Sequence, residues 1–114
     1  MKLDELTRDE QLALVGLVRL LVRLDGSFSE SEREAVDELA ADLGNERFWS
    51  LIDDAGTTLS EPEAIRAQAQ RVTREEARLT IYDALLDLAM RDTISVEEDG
   101  LLEWLRSTWD LQDA

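Results

Sequence analysis

Apolar residues recur at helical spacing through most of this chain. Leu14, Leu17, Val18, Leu21 and Val22 trace one stripe, the three-and-four spacing of a helix that buries a face. Ahead of them, Thr7-Arg8-Asp9-Glu10 has the form of a capping box, in which the threonine oxygen accepts from an N–H of the first turn and the glutamate reaches back. The spacing predicts a first long helix over residues 8–24, with an acidic first turn favoured by the helix dipole. Residues 12–24 are the most apolar stretch, but Arg19 and Arg23 interrupt it and it is too short for the ~30 Å of a bilayer interior. It reads as a buried core helix. Arg19 and Arg23 share one face, expected to be its solvated edge or to lean toward the loop that follows.

Further along, Val36, Leu39, Ala40 and Leu43 repeat the spacing until Gly44, a residue suited to the C′ position. Asn45 is expected to cap a shorter helix carrying Phe48, Leu51, Ile52 and Ala55 and closed by Gly56. Residues 56–62 read as the clearest mid-chain loop. Ser60 with Glu63, and Pro62 near the first helical position, signal a new helix with Ile65, Ala69 and Val72 on its apolar side. Thr73-Arg74-Glu75-Glu76 offers another capping box, which leaves open a break there or a continuous helix. From residue 77 to 90 apolar side chains occupy most of the circumference, and Thr80, Asp83, Asp87 and Arg91 form a single polar stripe. This predicts a second, almost wholly buried helix packed against the first. A last helix runs from Val96 to about Trp109, with Leu101, Leu102, Leu105 and Trp109 inward and Trp104 partly exposed. Gly100 weakens it by roughly 1 kcal/mol relative to alanine unless another backbone comes close. Residues 112–114 are expected to fray.

Two of the connections resemble each other. Asp25-Gly26-Ser27-Phe28-Ser29-Glu30-Ser31-Glu32 joins the first two helices: a glycine turn, then Ser29 and Glu32 in capping-box spacing. A weaker copy occupies residues 91–99, where Ile94, Ser95 and Glu98 repeat the apolar, serine and glutamate positions. The chain therefore reads as two pseudo-repeated helix-loop-helix units, at about 8–56 and 60–112. The fold class expected is all-α: one domain over residues 1–114, a compact bundle of about six to seven helices.

Composition narrows the functions. Twelve basic against twenty-seven acidic residues give a net charge of −15, which repels nucleic-acid phosphates and anionic lipid wherever no local basic patch exists. The sequence holds no such patch. Neither nucleic acid nor direct membrane insertion is expected; cations and basic protein surfaces are the favoured partners, and the charge also serves solubility. Cysteine and histidine are both absent, which removes thiolate chemistry, the commonest general base and the usual zinc ligands. The start of the chain lacks the cationic and apolar segments of a secretory signal, so a cytoplasmic location is expected. The five glycines fit neither a dinucleotide fingerprint nor a P-loop. Counting from Asp25, Glu30 and Val36 stand where an EF-hand needs glycine and glutamate. Carboxylate-only acid–base chemistry is disfavoured in so small a bundle, and a non-enzymatic role is expected.

What remains is a set of carboxylates. Two units packed about an approximate twofold would bring Asp25, Glu30 and Glu32 toward Asp92, Glu97 and Glu98. Two carboxylates about 5 Å apart repel by roughly 3 kcal/mol at an effective dielectric of 20. Such a cluster demands protonation, arginines or a hard cation such as Ca²⁺, Mg²⁺ or Mn²⁺. Asp25, Glu32, Asp92 and Glu98 are the candidate metal ligands. The competing account makes Glu32 and Glu98 capping residues alone, Asp25 a turn former, and Arg23, Arg33 and Arg91 the counter-charges.

The first connection resembles the tellurite-resistance protein B (TerB) family and its TerB-like relatives, whose pattern Asp-Gly-x-apolar-Ser/Thr-x-x-Glu occurs twice in an all-helical domain. Asp25, Gly26, Phe28, Ser29 and Glu32 match it position by position; in the second copy Ile94, Ser95 and Glu98 match, while Arg91 and Asp92 stand where Asp-Gly is expected. The resemblance implies a compact helical domain with an acidic, divalent-cation-binding loop region. It also implies a non-enzymatic role in stress or tellurite-resistance systems beside membrane-associated protein partners. The rival expectation is a helical interaction module with no metal site, binding through an apolar groove near Trp49 and Trp104, with homodimerisation through the same patch open.

Overall fold

Helix α1 (Arg8–Asp25) is the axis about which four of the other five helices pack. The structure is a computed structural model that describes residues 1–25, 29–91 and 94–111. A short 3-10 turn (Leu3–Glu5) precedes α1; then follow α2 (Glu30–Leu43), α3 (Asn45–Thr58), α4 (Pro62–Gln70), α5 (Glu75–Met90) and α6 (Val96–Thr108). All regular structure among the described residues is helical, within extents of 33 × 29 × 27 Å. No helix among them is long and apolar enough to cross a membrane.

Helix α1 contacts α3, α4, α5 and α6, and α2 lies across α3 and α5. Leu12, Ala13, Leu14, Val15, Leu17, Val18, Leu20 and Leu21 are all buried, so the helix has almost no wet side until Arg19, Val22 and Arg23. Gly16 makes one crossing tight: a Cβ built there would meet Leu59 Cδ1 at 3.0 Å and Ile65 Cγ2 at 3.6 Å.

The helix ends follow local chemistry, with four departures from expectation. Gly44, at φ 106°, closes α2 and opens α3; that left-handed region suits glycine, and Asn45 becomes the first helical residue instead of the cap. Gly56 does not end α3, which continues to Thr58, so the mid-chain loop shrinks to residues 59–61. Pro62 is the first residue of α4 as expected, but Glu61, not Ser60, precedes it, with no side-chain cap. Helix α5 starts one residue later than the Thr73 box requires. Its N-cap is Arg74, which has no acceptor atom to offer the first-turn N–H groups and so gives no side-chain cap; its guanidinium instead reaches across to α1, as described below.

The expected near-total burial of α5 does not occur. It contacts α1, α2 and α6 and buries one face through Ala77, Ile81, Leu85, Leu88 and Ala89. Leu79 and Met90 are exposed, the latter at 65%. Only one helix can occupy the centre of a bundle this size, and α1 occupies it. The last helix matches expectation: Leu101, Leu102, Leu105 and Trp109 are buried, and the Trp109 indole N–H donates to the Ala69 carbonyl at 2.9 Å.

Glycines at 16 and 100 separate packing from propensity. Nothing lies within 4 Å of a Cβ at Gly100, so Gly100→Ala is expected to raise unfolding stability by up to about 1 kcal/mol. Gly16→Val forces branched atoms against Leu59 and Ile65 and is expected to cost about 1–3 kcal/mol. Urea denaturation of the two variants beside the parent chain measures both.

Candidate functional site

The candidate ligands Glu32 and Glu98 occupy the same position in their helices, three residues after the cap. Ser29 and Ser95 are N-caps with nearly identical backbones, φ −70°, ψ 164° and φ −75°, ψ 165°. The Ser29 N–H donates to Glu32 Oε1 at 3.4 Å and the Ser29 hydroxyl to the same oxygen at 3.1 Å, while the Glu32 N–H donates to Ser29 Oγ at 3.2 Å. In the second box the Ser95 N–H donates to Glu98 Oε1 at 3.0 Å and the Glu98 N–H to Ser95 Oγ at 3.1 Å. Both glutamates are 2% exposed, whereas Glu30 and Glu97 face solvent. Asp25 is the last residue of α1; its side chain, and the whole of Asp92, lie outside the described residues, as does the Gly26–Phe28 part of the TerB-like pattern. Among the described residues no group of three or more acidic side chains is placed to hold a cation. Arg91, expected as a counter-charge for the acidic turns, instead donates to Glu38 of α2 and, at 3.2 Å, to Asp87, and its guanidinium pKa is raised chiefly by the Glu38 bond.

The strongest polar cluster lies at the opposite end of α1 in sequence, at its first turn. Glu10 is buried and closes the Thr7 capping box: the Thr7 N–H donates to its Oε1 at 2.7 Å and the Glu10 N–H to Thr7 Oγ1 at 3.2 Å. Arg74 grips the same carboxylate in a two-pronged bond, through Nε to Oε2 at 2.8 Å and through Nη2 to Oε1. Next to it, fully buried Gln11 accepts from Arg47 Nη1 at 2.8 Å, and Gln68 of α4 donates to the Asp9 carbonyl at 2.9 Å. The Arg74 bond holds the Glu10 carboxyl below the usual carboxylate range against the opposing effect of burial, and the Arg74 pKa rises in return. This cluster ties α1 to α3, α4 and the start of α5. Sequence reasoning found Glu10 as a cap and missed its partner, for which no local signal exists.

The third feature is a groove between α1, α2 and α3. Val18, Arg19, Val22 and Arg23 of α1, Val36 of α2, and Trp49 and Ile52 of α3 line a cavity of about 270 Å³. Trp49 is 48% exposed and stands edge-on to buried Phe48, ring centroids 5.1 Å apart and planes at 88°. The Arg19 guanidinium lies along Gly56, its Nη2 3.5 Å from where a Cβ would sit. Among the described residues neither Arg19 nor Arg23 forms an ion pair. Trp104 does not join this groove. It lines a separate open depression with Glu103, Ser107 and Leu111, and the Arg66 guanidinium sits 5.6 Å from its ring centroid.

The boxes and the clamp give measurable expectations. Ser29→Ala and Ser95→Ala should each cost about 1 kcal/mol of unfolding free energy by urea titration. The folded-state pKa of Glu10 is depressed, so its stabilising contribution is complete above the unfolded value of about 4.3 and is lost as pH falls through the folded value. Glu10→Gln should therefore melt below the parent chain at pH 7, and the gap should narrow as pH drops below about 4.3. No family model, curated protein or solved structure matches this chain.

Proposed function

We propose that this chain is a non-enzymatic helical binding module whose working surface is the groove between α1, α2 and α3. The observation that carries the reading is half-exposed Trp49 lining one recess with Val18, Val22, Val36 and Ile52. A tryptophan beside an apolar recess is the residue type and setting in which binding energy concentrates, and a concave floor between helices accepts the apolar face of a partner helix. Chemical-shift mapping with amphipathic helical peptides tests it. Bound peptides should perturb the Trp49 indole and the methyls of Val18, Val22 and Val36, and Trp49→Ala should weaken binding by a factor of about 30, the size expected of a 2 kcal/mol anchor. Perturbations centred elsewhere, or binding indifferent to Trp49→Ala, would count against the groove.

A second reading keeps the TerB-like role, with a divalent cation held by Asp25, Glu32, Asp92 and Glu98 in a stress or tellurite-resistance system. It draws support from the two Ser-x-x-Glu boxes, which form with matching backbone angles and equally buried glutamates. Thermal melts in Ca²⁺, Mg²⁺ or Mn²⁺ against chelator test it: an ion at one hundred times its dissociation constant adds about 2.7 kcal/mol. A melting point unmoved at millimolar ion, or the same response in Asp25→Asn/Glu32→Gln, rejects the cation.

A further inference from the structure

Resting on the groove as the binding surface, we infer its occupant: an acidic amphipathic helix, with two carboxylates one turn apart that pair with Arg19 and Arg23 while its apolar side chains enter beside Trp49. The first argument is charge. Acidic residues outnumber basic ones twenty-seven to twelve, and several arginines find carboxylates within the chain: Arg8 with Asp54, Arg74 with Glu10, Arg91 with Glu38 and Asp87, and Arg106 with Glu103. Arg19 and Arg23 stand together on one face of α1 at the rim of the groove, and among the described residues neither has an acidic partner. Arg23 lies in the last turn of α1, where a cation offsets the helix dipole. Arg19 lies a turn earlier, beyond that effect, so the dipole does not account for the pair.

Geometry then selects a helix. Residues four apart rise about 6 Å along a helix axis, the same step that separates carboxylates at positions i and i+4 of a partner helix. Arginine forks also suit carboxylates better than point charges do. The recess, about 270 Å³ and open on one side, lies below the roughly 300–1,000 Å³ of pockets that enclose small molecules. It has room for the few apolar side chains that a helix presents at i, i+3 or i+4, and i+7. All seven lining residues lie on helices, so there is no strand edge for an extended peptide to extend.

The test uses the full chain and three lactam-stapled peptides with identical leucine anchors, differing only in a pair of residues one turn apart beside them: glutamate, glutamine or lysine. Fluorescence anisotropy should rank glutamate at least tenfold tighter than glutamine, with lysine weakest. Arg19→Glu/Arg23→Glu should invert that order. Arg19→Gln/Arg23→Gln, which adds less negative charge than the double glutamate variant, should shrink the glutamate preference to within about twofold; thermal melts confirm that both variants are folded. Equal affinity for all three peptides, lost on Trp49→Ala, leaves the groove and overturns the acidic partner. An order unchanged by the arginine variants overturns the assignment of the carboxylates to Arg19 and Arg23. Binding by none of the peptides overturns both groove and occupant. A dimer seen by light scattering and dissolved by Arg19→Glu would show that a second copy fills the groove, and overturns a separate partner.

Discussion

Helix α1 lies at the centre, and the rest of the chain is arranged to cover it and to satisfy its polar start. Between Leu12 and Leu21 eight apolar side chains are buried, of which the leucines and valines each contribute about 1.5–3 kcal/mol of transfer free energy when fully removed from water. That gain offsets the ordering of the helices that wrap it. A central helix also has N–H groups at its first turn that must find acceptors. Here Thr7 Oγ1 accepts from one of them, the Glu10 N–H, the Glu10 carboxylate accepts from the Thr7 N–H just ahead of the helix, and Arg74 neutralises that buried carboxylate. Packing and charge compensation thus meet at one point, and it fixes where α5 can begin.

The consequences run along the chain. Because Arg74 is committed to Glu10, the connection between α4 and α5 turns at residues 71–74 instead of continuing as one helix, and Arg78 Nε, donating to the Val72 carbonyl at 2.8 Å, holds that turn from the other side. With α1 central, α5 becomes a peripheral helix whose apolar circumference is covered on one side only. At the far end of α1, α3 is brought against Val18 and Val22, and the seam between them is left open enough to form the groove. Its shape is therefore a by-product of how the core helix is covered, while its arginines are not required by that covering.

Most features that depend on residues three or four apart were legible in the sequence, although the boxes read at Ser60 and Thr73 do not form. The boxes at Thr7, Ser29 and Ser95 and the core faces of α1, α2 and α6 belong to this class, because a cap or a stripe is decided within one turn. Features that depend on distant partners were not. Arg74 looks like any residue of a Thr-x-x-Glu motif until Glu10, sixty-four positions earlier, is brought beside it. Gly56 looks like a stop, yet it remains helical with Arg19 of α1 lying over it. The apolar circumference of α5 was the most misleading signal, since a helix apolar all round reads as buried and the sequence does not say which of two such helices takes the centre. Trp49, Arg19 and Arg23 were each visible, but their convergence needed the packing of α3 on α1.

The same distinction separates the two functional readings in physical terms. A carboxylate buried at the third position of a helix already accepts the hydrogen bond that its box requires, and recruiting it to a cation means exchanging that bond for a metal contact; Glu32 and Glu98 both begin from this committed state. The guanidiniums of Arg19 and Arg23 begin from the opposite state. They lie at the rim of an apolar recess with no carboxylate among the described residues to give up, so a partner carboxylate arriving there gains its charge-assisted bonds without breaking an existing ion pair. The protein's overall negative charge of −15 opposes the approach of such a partner at long range. Selection must then come from contact, from apolar side chains seated beside Trp49 together with acids at the right spacing, so a merely acidic surface without that apolar face gains little from this groove.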